Sequence, residues 1–224
     1  MRVAALHGFL GDASMRYELD HIEAIALPGH GGGPVLATWD ANIAAVAHQL
    51  GEVDAVVGYS LGARVATALV VAGYVPRAVL ISVNPGIDDA ERPARRGRDA
   101  AWANMLRERS LGEFLDAWEA QPLFATRARV EPERRAAHRA RRLGHDPEQL
   151  ARSLEVMGLA EMPDYRGAID HRFGLIAGAD DPKYVAIASA LPAPLEVIAD
   201  AGHDVGFEQP RATGIAIERA LARF

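Results

Sequence analysis

The 224 residues contain no cysteine. That excludes a disulfide framework, a thiolate nucleophile and cysteine-ligated zinc. Lysine is nearly absent as well: Lys183 stands alone beside 23 arginines. No apolar run approaches the roughly 18 residues that a membrane span requires, and the start, Arg2-Val3-Ala4-Ala5-Leu6, is too short an apolar stretch for a signal peptide. A cytoplasmic protein with no membrane span is expected. Excess positive charge is also lacking. The net charge is −6, so bulk electrostatics offers nothing to nucleic acid. The eight histidines show no ligand spacing beside carboxylates, so neither a metal nor a cofactor is expected.

What is present is a chain of one-domain length, half hydrophobic, with its arginines clustered: fifteen lie between Arg92 and Arg166. Codon usage in a GC-rich genome accounts for arginine over lysine. It does not account for the clustering.

Short buried strands are predicted at Val3–Leu6, Ile22–Leu27, Val53–Val57, Ala78–Val83, His171–Ala177 and Leu195–Ala199. Helical periodicity marks Trp39–Leu50, Ala63–Val70 and the final Pro210–Arg223. Strands alternating with helices imply a mostly parallel sheet with right-handed crossovers. From Asp88 to about Asp164 the pattern changes to charged helices without a convincing strand. One apolar helical surface is expected from Leu106, Leu111, Phe114, Leu115 and Trp118, and another from Leu150, Leu154, Met157 and Leu159. The expectation is a single domain over residues 1–224 with a helical cap inserted at about 87–165.

The chemistry centres on Gly58-Tyr59-Ser60-Leu61-Gly62. A valine-rich strand leads in and a good helix former leads out, with the serine at the apex. This is the G-x-S-x-G nucleophile elbow. The glycines keep side chains out of a tight turn, and the following helix N-terminus favours developing negative charge. Serine needs a histidine base and a carboxylate to orient it, in the chain order serine, acid, histidine. Gly178-Ala179-Asp180-Asp181 and Gly202-His203-Asp204 follow the last two strands, and loops at strand carboxyl ends converge in an open sheet. Ser60, Asp181 and His203 are therefore the expected triad, with Asp181 preferred to Asp180 because it stands three residues past the glycine. His7 and His30 lie in glycine-rich loops near the site, while His48, His138 and His145 fall on helical segments and are expected to be solvated. Oxyanion donors are expected from the amides of Leu61 and of Phe9, in the turn His7-Gly8-Phe9.

These features resemble the α/β-hydrolase superfamily over essentially the whole chain. The finer pattern resembles the 2-succinyl-6-hydroxy-2,4-cyclohexadiene-1-carboxylate synthases of menaquinone biosynthesis. It rests on His7-Gly8-Phe9-Leu10-Gly11, Leu27-Pro28-Gly29-His30-Gly31, the elbow with Arg64 four residues past the serine, and Asn84-Pro85-Gly86. Phe114 to Phe124, including Trp118 and Gln121-Pro122, Asp181-Pro182-Lys183-Tyr184 and Gly202-His203-Asp204 with Glu208-Gln209-Pro210 complete it. The resemblance implies a lyase that removes a ring proton and expels pyruvate. It implies a small polycarboxylate as substrate, Arg64 and Arg95 as carboxylate ligands, and Tyr59 and Trp118 lining the pocket. Arg98 is the runner-up to Arg95, and Arg141 or Arg142 a further contact. There are departures. Ala26 replaces an aspartate, Glu119 replaces an aromatic, and the stretch from Gly11 to Ile22 leaves little room for a first helix. A carboxylate at Glu119 must point away from an anionic substrate. An esterase, thioesterase or C–C hydrolase using the same triad is the alternative, and a non-catalytic binding module is a third reading that the intact triad set argues against. A monomer or small homo-oligomer is expected.

Overall fold

The computed structural model describes residues 1–15 and 17–224. Six strands form one wholly parallel sheet: β1 (Val3–Leu6), β2 (Ile22–Ile25), β3 (Ala55–Tyr59), β4 (Ala78–Ile81), β5 (Phe173–Gly178) and β6 (Leu195–Ile198), in the order β2-β1-β3-β4-β5-β6. The helices α1 (Trp39–Leu50) and α2 (Leu61–Val71) precede β4; α3 (Arg92–Glu108), α4 (Leu111–Glu119), α5 (Pro132–Arg142) and α6 (Pro147–Val156) lie between β4 and β5; α7 (Pro182–Ser189), α8 (Val205–Glu208) and α9 (Pro210–Leu221) follow. This is the α/β-hydrolase architecture, with helices on both faces of a parallel sheet.

Strand alternation sorts the core into two layers. Ala4, Leu6, Val56, Ala78 and Leu80 face one side and pack with Ile43 and Val46 of α1 and Val65 and Leu69 of α2. Val3, Ala5, Val57, Val79 and Ile81 face the other and pack with Ala216, Ile217 and Ala220 of α9. The central strands are buried on both faces, which is why they read as continuous apolar runs. Proline opens α5, α6, α7 and α9 at the first helical turn, where its missing N–H costs nothing.

Element ends differ from the sequence reading where side chains or turns take over the backbone. The second strand stops at Ile25, because the Leu27 amide donates to His7 Nε2 (3.0 Å) rather than to a neighbouring strand. β3 runs on to Tyr59, whose partner on β4 is Ile81. β4 stops before Ser82, which turns to φ +50°. Between Gly11 and Ile22 there is no helix among the described residues.

Residues 82–172 hold helices and turns but no strand. Ser110 and Glu113 form a capping box that starts α4, and Asp146 caps α6 by accepting from the amides of Glu148 and Gln149. The two expected helical surfaces form one cluster: Leu106, Phe114, Leu115, Leu150 and Leu154 pack together, with Leu111 and Trp118 at the margin. Met157 and Leu159 depart from that expectation. They join the main core on the α1–α2 side of the sheet, because the chain has left α6 and turned back toward the sheet. Among the described residues no helix is long and apolar enough to cross a membrane.

Candidate functional site

Ser60 sits between β3 and α2 with φ +50° and ψ −105°, a region that non-glycine residues occupy only when the surroundings hold them there. The surroundings do so. The Ser60 amide donates to Ile81 O (3.0 Å), and its carbonyl accepts from Arg64 N (3.2 Å). The elbow is also closely packed: a Cβ at Gly62 would come within 2.1 Å of Leu6 O, and one at Gly58 within 2.3 Å of Gly62 O. Strand, strained serine and helix are thus forced by sterics, and the hydroxyl is left at the end of the sheet.

His203 lies 3.2 Å from Ser60 Oγ through Nε2 and 2.9 Å from Asp181 Oδ2 through Nδ1. A carboxylate only accepts, so Nδ1 carries the proton and Nε2 is left to accept from the serine hydroxyl. Histidine and aspartate are both buried. Asp181 has a second task as N-cap of α7, where it accepts from Tyr184 N (3.3 Å). Asp180, its neighbour, points outward to an ion pair with Arg129. Ser82 supports the histidine loop from the sheet side, its hydroxyl donating to His203 O (2.9 Å).

Leu61 is the first residue of α2, so its amide is one of those the helix cannot pair. Phe9 lies in a tight turn closed by Gly11 N donating to Gly8 O (2.9 Å). His7 fixes this turn, since Leu27 N donates to its Nε2 and its Nδ1 then donates to Gly8 O (2.7 Å). Burial lowers the His7 pKa to about 4 and that of His30 well below its ordinary value, so both are neutral structural groups beside the site.

A cavity of about 450 Å³ opens over Ser60. Phe9, Tyr59, Leu61, Arg64, Arg95, Trp118 and His203 all line it. Arg98 does too. Arg64 donates to Met157 O (2.8 Å) and has no carboxylate partner among the described residues; burial, and then the charge of Arg95, lower its pKa to about 10. Arg95 reaches Asp99 (2.8 Å) one turn along α3. The aromatic wall is continuous: Trp118 stacks on Phe114, with centroids 5.6 Å apart and planes at 22°, and meets Phe9 at 5.0 Å and Trp102 at 5.1 Å.

Several expectations are corrected. Arg141 and Arg142 do not line this cavity. They line a separate one of about 220 Å³ with Tyr17, Tyr59 and His138, because Arg141 is held by Asp12 (3.2 Å) and Arg142 by Glu119 (2.8 Å). His138 and His145 are half-buried rather than fully solvated, and His145 lies in the turn between α5 and α6 rather than on a helix. His138 stacks on Phe207 at 4.3 Å, and burial followed by Arg142 lowers its pKa to about 3. His145 packs against His30, 5.5 Å between centroids. No group that could hold a metal occurs among the described residues.

Residues that sequence reasoning missed also line the cavity: Gln121, Phe124, Arg127, Lys183 and Tyr184. The Tyr184 ring is 4.4 Å from that of His203, and burial raises its pKa. Position within Asp181-Pro182-Lys183-Tyr184 was the available signal for two of these, since a carboxylate that both meets the histidine and caps a helix places the first turn of that helix beside the histidine.

The alpha/beta hydrolase family pattern matches residues 3–214. The 2-succinyl-6-hydroxy-2,4-cyclohexadiene-1-carboxylate synthase of Klebsiella pneumoniae subsp. pneumoniae is 34% identical over 238 residues, covering 97% of this chain and 92% of its own. The structure of MenH from S. aureus superposes with a TM-score of 0.89 at 27% identity, covering 98% and 92% of the two chains. A thermophilic esterase from Thermogutta terrifontis with malate bound superposes at 0.77, also with 27% identity, covering 99% and 89%.

Proposed function

The chain belongs to the alpha/beta hydrolase family, and we propose that within it the protein is a carbon–oxygen lyase. It eliminates pyruvate from 2-succinyl-5-enolpyruvyl-6-hydroxy-3-cyclohexene-1-carboxylate and gives 2-succinyl-6-hydroxy-2,4-cyclohexadiene-1-carboxylate, a step of menaquinone biosynthesis. The observation that carries the reading is the charge of the cavity. Among the described residues, Arg64 lines it half-buried and without an ion pair, together with Arg95 and Arg98, while the one carboxylate in the lining, Asp99, is paired with Arg95. These three guanidinium groups against one carboxylate leave the cavity with surplus positive charge, which a polycarboxylate substrate would neutralise. The guanidinium fork suits that task. The 34% identity to a named synthase over nearly the whole of both chains supports the same substrate.

In this mechanism Ser60, Asp181 and His203 form the triad. His203 Nε2 takes the Ser60 proton while Asp181 holds Nδ1–H and steadies the imidazolium. The Ser60 oxygen removes a proton from the ring. The C2–H electron pair forms a C2=C3 double bond, the original C3=C4 pair shifts to C4=C5, and the C5–O bond to the enolpyruvyl group breaks. The departing enolate takes up one proton to become pyruvate, and His203 releases the one it took, which restores the triad. The amides of Leu61 and Phe9 and the dipole of α2 stabilise negative charge that develops nearby. Arg64 and Arg95 hold substrate carboxylates, Tyr59 and Trp118 shape the pocket, and the helices between β4 and β5 act as the cap that keeps water out.

Ester hydrolysis by the same triad is the second reading, favoured by the likeness to the Thermogutta esterase. One assay separates the two: pyruvate release from the enolpyruvyl substrate, run beside p-nitrophenyl ester hydrolysis. The lyase reading expects pyruvate release to dominate. Ester turnover without pyruvate release would overturn it.

A further inference from the structure

We propose that Arg127 is a positioning residue for His203, tying the loop that carries the histidine to the cap through Asp204. The inference rests on the triad reading above, but not on the identity of the substrate.

The 3₁₀ stretch Pro122–Arg129, which follows α4, touches the two triad loops at four places. The Phe124 ring meets the His203 ring edge-on at 6.0 Å. Thr126 packs against Gly202 so closely that a Cβ there would lie 2.1 Å from Thr126 Oγ1. Arg127 Nη2 donates to Asp204 Oδ2 at 2.5 Å, and Arg129 pairs with Asp180 beside the triad acid. Three of these contacts fall on the consecutive residues Gly202, His203 and Asp204. The loop is thus held between Ser82 on the sheet side and this stretch on the cap side.

The four contacts are not equal. Arg129 and Asp180 are largely exposed, and exposed pairs contribute little. Arg127 and Asp204 are buried, at 10% and 8% side-chain exposure. Burial works against the Asp204 carboxylate, yet Arg127, His138 and Arg142 together hold its pKa below the ordinary value. Arg127 is fixed in turn by the Phe124 ring, 4.0 Å beneath its guanidinium.

Stability alone is a poor account of this pair. Its Nε and Nη1 are buried without partners, a cost that a well-packed apolar pair would avoid. What a buried charge pair supplies is a fixed distance. The distance at stake is the 3.2 Å between His203 Nε2 and Ser60 Oγ, and misplacement by about 1 Å costs on the order of 100-fold in rate.

The test uses Arg127→Met, Asp204→Asn and the double variant in the full chain. In the double variant no buried charge is left unpaired, so it reports even if a single variant fails to fold. In that variant kcat is expected to fall about 10- to 100-fold with KM within about threefold, for pyruvate release and for p-nitrophenyl ester hydrolysis alike. The downfield proton resonance of the His203 Nδ1–H to Asp181 hydrogen bond should shift or broaden in the folded variant. Arg129→Met should change kcat less than twofold. Wild-type kcat and an unmoved resonance in the folded double variant would overturn the proposal, as would a loss confined to KM. A wild-type enzyme that hydrolyses esters but releases no pyruvate would instead overturn the lyase reading, and Arg127 would still be tested by the ester and by the resonance.

Discussion

Glu119 Oε1 accepts a hydrogen bond from Arg142 Nη1 at 2.8 Å, with Arg139 3.5 Å away on the other carboxylate oxygen. The acid next to Trp118 is therefore neutralised by α5 and turned away from the cavity over Ser60. This answers the one departure that would set a carboxylate against an anionic substrate. The pair should matter for stability rather than for binding. Glu119→Gln leaves the buried Arg142 without its carboxylate and should cost about 1–3 kcal/mol in denaturant unfolding. KM should stay within about twofold. A large rise in KM with unchanged stability would show that Glu119 acts on the substrate.

Ser60→Ala should lower turnover by about 1000-fold or more while the melting temperature is nearly unchanged, because only the hydroxyl is removed and the backbone at φ +50° stays as it is. The two measurements belong together. Near-wild-type turnover in a folded Ser60→Ala protein would remove the serine from the mechanism.

Within the protein Arg64 donates to Met157 O, approaches Met162 Sδ at 4.0 Å and lies over the Trp39 ring at 6.0 Å; none of these neutralises its charge, which is available to a ligand. Arg64→Ala should raise KM for the anionic substrate about 10- to 100-fold, the worth of a charge-assisted hydrogen bond, and affect a neutral ester much less. Equal losses on both substrates would mean that the residue supports the fold of the pocket and not its charge.

His7 predicts a pH dependence of stability. Its folded pKa is lowered to about 4 by burial, against about 6.5 in the unfolded chain. Between those values the unfolded state binds the extra proton, so stability rises with pH. The contribution is complete above about pH 6.5 and is lost as pH falls toward 4, to the extent of about 3 kcal/mol. His30 adds in the same direction. Urea unfolding from pH 4.5 to 7.5 should show this slope, and His7→Gln should flatten it. A slope unaltered in that variant would exclude His7 as its source.

Local and periodic features were legible in the chain alone. The apolar runs of β1, β3, β4 and β5 announce themselves because both faces of those strands are buried. The elbow is legible because only glycine fits where a Cβ would strike Leu6 O or Gly62 O. The order of Ser60, Asp181 and His203 follows from loops that must emerge at one end of a parallel sheet. Pairing between distant segments was not legible. No spacing says that Asp180 turns to Arg129, that Met157 leaves the helical segment for the main core, or that Ser82 holds the carbonyl of His203.

The amino-acid sequence by itself thus determined the sheet, the elbow and the candidate triad, since these depend on side-chain alternation, steric exclusion and chain order. Only the tertiary structure decided which arginines face the cavity. Arginine is long, and its position along the chain does not set where its guanidinium goes; the carboxylate it meets does. Asp12 and Glu119 draw Arg141 and Arg142 away, Asp204 holds Arg127 against the histidine loop, and Arg64, which meets no carboxylate among the described residues, keeps its charge at the cavity over Ser60.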